Sequence, residues 1–160
     1  MQIDENTMID EEMQKKLNLN KKFTTNLIVM GMAGSGKTTF VKKLEEYLVE
    51  KEKEVYIINM DPAVHDTLYE SNLDIRDTIK YKDVMLTHGL GPNGAIMTCL
   101  NLFSTNIHKI IDVLEKKTDL DYITIDTPGQ LEVFSWSASG KIISDSFACT
   151  YPTVNNNFII

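Results

Sequence analysis

The sequence predicts an α/β fold: an open, mostly parallel sheet with helices on both faces. Three observations carry this. Short apolar runs at residues 27–30, 55–60 and 122–125 have the continuous hydrophobic character of strands buried on both faces. Between them lie segments whose apolar residues recur at three- and four-residue intervals. No hairpin signal joins the runs, so right-handed crossovers must connect them.

The elements follow in chain order. Residues 1–22 alternate acids, amides and lysines with little apolar content and are expected to form a mobile polar leader. Leu27, Ile28, Val29 and Met30 form the first strand, which ends at Gly31. Phe40, Val41, Leu44, Tyr47 and Leu48 then mark an amphipathic helix, with Lys42, Lys43, Glu45 and Glu46 on its other side. Val55 to Met60 read as a second strand, terminated by Asp61-Pro62 because proline disfavours regular structure before it. Ile75, Ile79, Met85 and Leu86 suggest one helix, and Ile107, Ile110, Ile111 and Leu114 match a second amphipathic template. The third strand closes at Asp126, before the turn residues Thr127-Pro128-Gly129. Ligands bind at the carboxyl edge of such a sheet, which puts Gly31, Asp61 and Asp126 on one rim.

What lies at that rim is phosphate chemistry. Gly31-Met32-Ala33-Gly34-Ser35-Gly36-Lys37-Thr38 fits the pattern G-x-x-x-x-G-K-[ST] at every fixed position, between a strand and a helix. Glycines let such a loop fold tightly, so that its N–H groups converge on phosphate oxygens beside the positive end of the following helix. Lys37 would reach the β/γ-phosphates, and the Thr38 hydroxyl would ligate Mg²⁺. A glycine turn with a chance lysine is the plain alternative, and the flanking strand and helix argue against it. The expected fold is therefore a P-loop nucleoside triphosphatase. Asp126 is placed to hold Mg²⁺ or its waters, Gly129 to present its N–H to the terminal phosphate, and Gln130 to orient an attacking water without changing protonation. Alone, residues 126–130 would read equally as a solvated turn.

Composition narrows the function. With 160 residues, 42% hydrophobic and 24% charged, the chain suits one soluble domain, and its net charge of −7 argues against a nucleic-acid backbone as direct partner. No apolar run approaches a membrane span or a signal peptide, and Cys99 and Cys149 suggest neither a disulfide framework nor zinc, so a cytoplasmic location is expected. The single arginine, Arg76, excludes the arginine-rich lid of nucleotide kinases and reads as a surface ion pair with Asp74 or Asp77. His65, His88 and His108 share no ligand spacing, and Trp136 is expected to be half-buried, packing the segment after Gln130.

Four motifs together resemble the GPN-loop GTPases: residues 31–39, which add Thr39 to the loop, Asp61-Pro62-Ala63, Gly91-Pro92-Asn93, and Asp126-Thr127-Pro128-Gly129-Gln130, in that order. Asp74-Ile75-Arg76-Asp77-Thr78 with Tyr81-Lys82, and residues 135–140, look most like the first of the eukaryotic paralogues. The resemblance implies GTP and Mg²⁺ as ligands. It also implies hydrolysis in a homodimer or a heterodimer with a paralogue, RNA polymerase II subunits as client, and shuttling between cytoplasm and nucleus during polymerase assembly and import. Asp61 would act near Mg²⁺ and the attacking water, its plain alternative being an Asx turn before Pro62. Gly91 and Pro92 would hold Asn93 rigidly at a tip that reaches the partner subunit's nucleotide, Gly91 by permitting unusual dihedrals. Residue types alone read 91–93 as an ordinary loop.

The chain departs from the family in two places. It has no Asn-Lys-x-Asp segment to read guanine, so base preference is inherited from the resemblance. After Thr153 it runs Val154-Asn155-Asn156-Asn157, and asparagines are poor strand formers. The expected organisation is a leader at 1–22, the N-terminal portion of a P-loop GTPase domain at 23–153 and a divergent tail at 154–160, with the sheet cut short at its C-terminal side. Two other functions compete: an ATPase of similar fold, and a catalytically inactive nucleotide-binding or interaction subunit.

Overall fold

Alternation along β1 (Thr25–Gly31) sends Ile28 to one face of a sheet and Val29 to the other, both essentially inaccessible to solvent. The computed structural model describes residues 23–158, so the leader expected over 1–22 lies outside the described residues. After β1 come α1 (Lys37–Glu50), β2 (Val55–Asn59), β3 (Leu73–Asp74), α2 (Ile75–Thr78) and α3 (Tyr81–His88). Then follow α4 (Pro92–Ser104), α5 (Ile107–Glu115), β4 (Tyr122–Asp126), α6 (Leu131–Ser135), α7 (Ala138–Thr150) and β5 (Thr153–Phe158). The strands form one parallel sheet in the order β3-β2-β4-β1-β5.

Helices cover both faces, as the sequence predicts. On one side α1 packs Val41 against Val29, Ile57 and Tyr69. On the other, Ile28, Ile58, Ile123 and Ile125 meet Ala95, Ile96, Cys99, Leu100, Ile143 and Phe147 from α4 and α7. The apolar stripe of α1 is narrower than its periodicity suggests: Tyr47 is 55% exposed, with the Lys51 ammonium 5.6 Å from its ring centre.

Three sequence expectations change. The helix read across Ile75 to Leu86 is two short helices, because Ile79 and Lys80 are extended between them. Residues 153–158 are a strand despite three asparagines: their backbone pairs with β1 from Asn26↔Thr153 to Gly31↔Phe158, and pairing on a sheet edge outweighs intrinsic preference. Trp136 is 84% exposed and anchors no core.

Arg76 is more than a surface pair. Its guanidinium forks onto both Asp74 oxygens (Nε–Oδ1 2.9 Å, Nη2–Oδ2 2.7 Å), while Nη1 donates to the Val64 and His65 carbonyls. This ties the loop after Asp61 to β3 and α2. Burial works to raise the Asp74 pKa, but Arg76 and the Asn59 amide outweigh it and hold the carboxyl below its usual range. A lowered folded value contributes stability above the unfolded pKa, and that contribution is lost as acid carries the pH down through the folded one. Arg76→Gln will therefore cost about 1.5 kcal/mol at neutral pH and progressively less below about pH 4, measured by urea unfolding at both ends.

Candidate nucleotide site

The candidate site is built at the C-terminal ends of β1, β2 and β4, whose register sets Val29, Asn59 and Asp126 side by side. From β1 the chain turns through Gly34 (φ 79°) and Gly36 (φ 86°) into α1, left-handed conformations that only glycine adopts without strain. The loop so formed borders a cavity of about 190 Å³ lined by Ala33, Gly34, Lys37, Thr38, Asp61 and Asp126, with Gly129 and Gln130 closing it. That is smaller than the ~300–1,000 Å³ typical of pockets for whole ligands. It suits the phosphate end of a nucleotide.

Lys37 is nearly buried and donates to the Gly31 (2.8 Å) and Met32 (3.1 Å) carbonyls. Burial lowers its pKa, and the nearby Asp126 and Asp61 carboxylates counter by favouring the charged form. Asp126 ends β4 with Oδ2 accepting from Thr38 Oγ1 (3.1 Å) and from the Tyr69 phenol (2.8 Å). Its other oxygen, Oδ1, is buried without a hydrogen-bond partner, and so are Ser35 Oγ and Gln130 Oε1. Asp126 and Gln130 line the cavity, and orphaned polar atoms there are what a site shaped for a polar ligand leaves behind.

Asp61 combines both of its sequence readings. Its Oδ1 accepts from the Ala63 amide at 2.9 Å, an Asx turn, and the residue lines the cavity. Burial raises its pKa, while the Ala63, Gly129 and Val64 amides and the Lys37 charge work the other way. The Gly129 N–H, expected to face a terminal phosphate, thus lies against the Asp61 carboxylate. A Cβ at Gly129 would stand 2.9 Å from Ala33 Cα, so only glycine lets this turn touch the phosphate loop.

Most of the expected site converges here. Lys37, Thr38, Asp61, Asp126, Gly129 and Gln130 line one cavity together with Ala33 and Gly34. Gly31, Ser35 and Gly36 shape the loop around it, whereas the Met32 side chain and Thr39 face solvent. Asn93 stands apart. It is exposed in the first turn of α4, outside the cavity lining. Gly91 has φ −72° and ψ 172°, ordinary extended values that any residue adopts, and Pro92 is the first residue of a helix. The expectation of unusual dihedrals at Gly91 is thereby corrected: the segment is a helix start, with proline suited to a position that needs no N–H partner.

Sequence reasoning missed Asn59, Tyr69 and Thr127. Asn59 brackets Asp61, its Oδ1 accepting the Asp61 N–H at 3.1 Å and its Nδ2 reaching Asp74 Oδ2 at 3.0 Å. A carboxamide ending an apolar strand was the available signal. Thr127 fastens the turn after β4 to the Val29 carbonyl at 2.8 Å. His65 pairs with Asp66 on the surface, and His88 and His108 are exposed. Among the described residues no group of three or more His, Cys, Asp or Glu is arranged for a metal, and no helix is long and apolar enough to cross a membrane.

Residues 29–159 match a family described as "conserved hypothetical ATP binding protein". The chain is 57% identical over 128 residues to GPN-loop GTPase 1 of Schizosaccharomyces pombe, covering 79% of this chain and 35% of that protein. It is 53% identical over 127 residues to GPN-loop GTPase QQT2 of Arabidopsis thaliana, covering 79% and 34%. A solved GTPase in apo form from Pyrococcus abyssi superimposes with a TM-score of 0.68 at 29% identity, over 82% of this chain and 52% of that one. The chain thus spans about a third of the length of the curated relatives it matches. Similarity of this depth, running through the phosphate loop and the strand ends that face it, places the chain in the GPN-loop GTPase family.

Proposed function

We propose that the chain binds GTP and hydrolyses its β–γ phosphoanhydride as a nucleotide-dependent switch, working as a dimer. The observation that carries this is the cavity where Lys37, Thr38, Asp61, Asp126 and Gln130 converge from three separate segments. The names of the relatives favour guanine, and the sequence contains no Asn-Lys-x-Asp segment.

The donor set fits a hard divalent cation, because Thr38, Asp61 and Asp126 offer oxygens and Asp126 Oδ1 is buried and unpartnered. Thr38, Asp126 and Asp61 would hold Mg²⁺, the remaining ligands being water and phosphate, as Mg²⁺ prefers. When bound, it would neutralise charge on the β- and γ-phosphates. The chain's own residues do the rest: Lys37 exchanges the Gly31 and Met32 carbonyls for phosphate oxygens, loop N–H groups hold the tail, and Gln130 orients water.

Asn93 lies outside its own subunit's cavity, at an exposed helix start, which supports action on a nucleotide held by a second subunit. A homodimer or a paired paralogue would supply it. In keeping with the family resemblance, the client is RNA polymerase II during assembly and nuclear import, with the protein moving between cytoplasm and nucleus. Single-turnover hydrolysis on purified dimer tests the catalytic part. Asn93→Ala will slow the chemical step about tenfold or more while nucleotide affinity stays unchanged, and equal rates would remove Asn93 from catalysis. Competition between GTP and ATP in the same assay decides the base.

A further inference from the structure

We propose that Tyr69 is a positioning residue for the divalent cation, its phenol fixing the Asp126 carboxylate so that one oxygen is left for the metal or its water shell. The inference rests on the nucleotide-binding reading above and extends it to a side chain that no phosphate motif contains.

Tyr69 lies in the long connection between β2 and β3, yet it is only 6% exposed. Its ring packs with Val29, Val41 and Ile57 on the α1 face of the sheet, and Thr67 Oγ1 holds its carbonyl at 2.9 Å. A phenol buried this deeply needs a partner, and it finds Asp126 Oδ2 at 2.8 Å. Thr38 Oγ1 donates to the same oxygen at 3.1 Å. Two donors on Oδ2 and none on Oδ1 give the carboxylate one orientation, with Oδ1 the oxygen still able to accept.

The Thr38 hydroxyl gains as well. Its only proton goes to Asp126, so its oxygen keeps lone pairs for a cation. A carboxylate free to rotate would lose this arrangement, because Thr38 alone cannot choose between the two oxygens. Tyr69 therefore acts as an outer partner that orients ligands it does not replace. It also links the connection carrying Asp61 and Val64, which Arg76 clamps, to the carboxylate at the end of β4.

Tyr69→Phe keeps the ring and removes only the hydroxyl. The 160-residue chain and this variant are titrated with a fluorescent GTP analogue, first in EDTA and then across a Mg²⁺ series, and Mn²⁺ bound in the nucleotide complex is followed by electron paramagnetic resonance. The variant is expected to need about tenfold more Mg²⁺ for half of its metal-dependent gain in affinity, with a changed Mn²⁺ signal and unaltered affinity in EDTA. Identical Mg²⁺ dependence would overturn the proposal. A parallel loss of affinity with and without metal would also overturn it, since that marks packing alone. Wild-type chain that binds no nucleotide in either buffer would instead remove the nucleotide reading itself.

Discussion

Lys37→Met will weaken triphosphate binding about a hundredfold, equivalent to roughly 2.7 kcal/mol, as read by calorimetry with GTP in Mg²⁺. The Lys37 ammonium lines the candidate phosphate cavity, where Asp61 and Asp126 supply opposing charge. Without it, the anionic tail keeps only backbone dipoles and the proposed Mg²⁺ against two carboxylates, and charge-assisted contacts of this kind are each worth about 1.5–3 kcal/mol. The unliganded protein loses the charge that opposes Asp61 and Asp126, but methionine fills a similar volume and no nearly buried ammonium has to be desolvated, so these effects oppose one another. The Gly31 and Met32 carbonyls do lose a donor, a cost that partly offsets this relief. A thermal midpoint close to wild type beside failed binding is the expected pair of results. Undiminished heat of binding would show that the loop backbone alone holds the phosphates.

Gly140→Ala will destabilise the domain by about 3 kcal/mol or more, measured by urea unfolding. An alanine Cβ there would sit 1.8 Å from the Phe134 carbonyl oxygen and 2.7 Å from its carbon, both backbone atoms. Neither can swing away as the end of a flexible side chain can. The contact lies where α6 turns into α7, a corner held by Ser137, whose hydroxyl accepts the Gly140 N–H at 3.0 Å and donates to the Phe134 carbonyl at 3.2 Å. Relieving the clash means moving α6, which begins immediately after Gln130. Loss of stability should therefore be accompanied by a drop in the proposed hydrolysis in whatever fraction stays folded. A variant as stable as wild type would show that this corner yields.

How far the sequence revealed all this depends on whether the signal was local. β1, the phosphate loop and α1 were legible because strand, glycines and amphipathic helix follow one another between Thr25 and Glu50 and each has its own pattern. Asp126 was legible for the same reason, as a carboxylate ending an apolar strand. α7 was not, since Ser139, Gly140 and Ser146 dilute its apolar face. β3 has only two residues, and β5 is a strand by virtue of the neighbour it pairs with. Within the site, Lys37 and Thr38 sit in a motif, whereas Tyr69 reaches Asp126 across 57 positions of chain from a connection without periodicity. Trp136 misled because an aromatic beside a functional segment suggests burial, and here the ring faces water.

The missing side chain at Gly129 has a mechanical consequence. Where that turn lies against Ala33, main chain meets main chain with no compressible layer between them. Close-packed atoms transmit displacement instead of absorbing it. Any displacement of the turn is therefore passed to the loop at Ala33 without slack, making the two behave as gears in mesh.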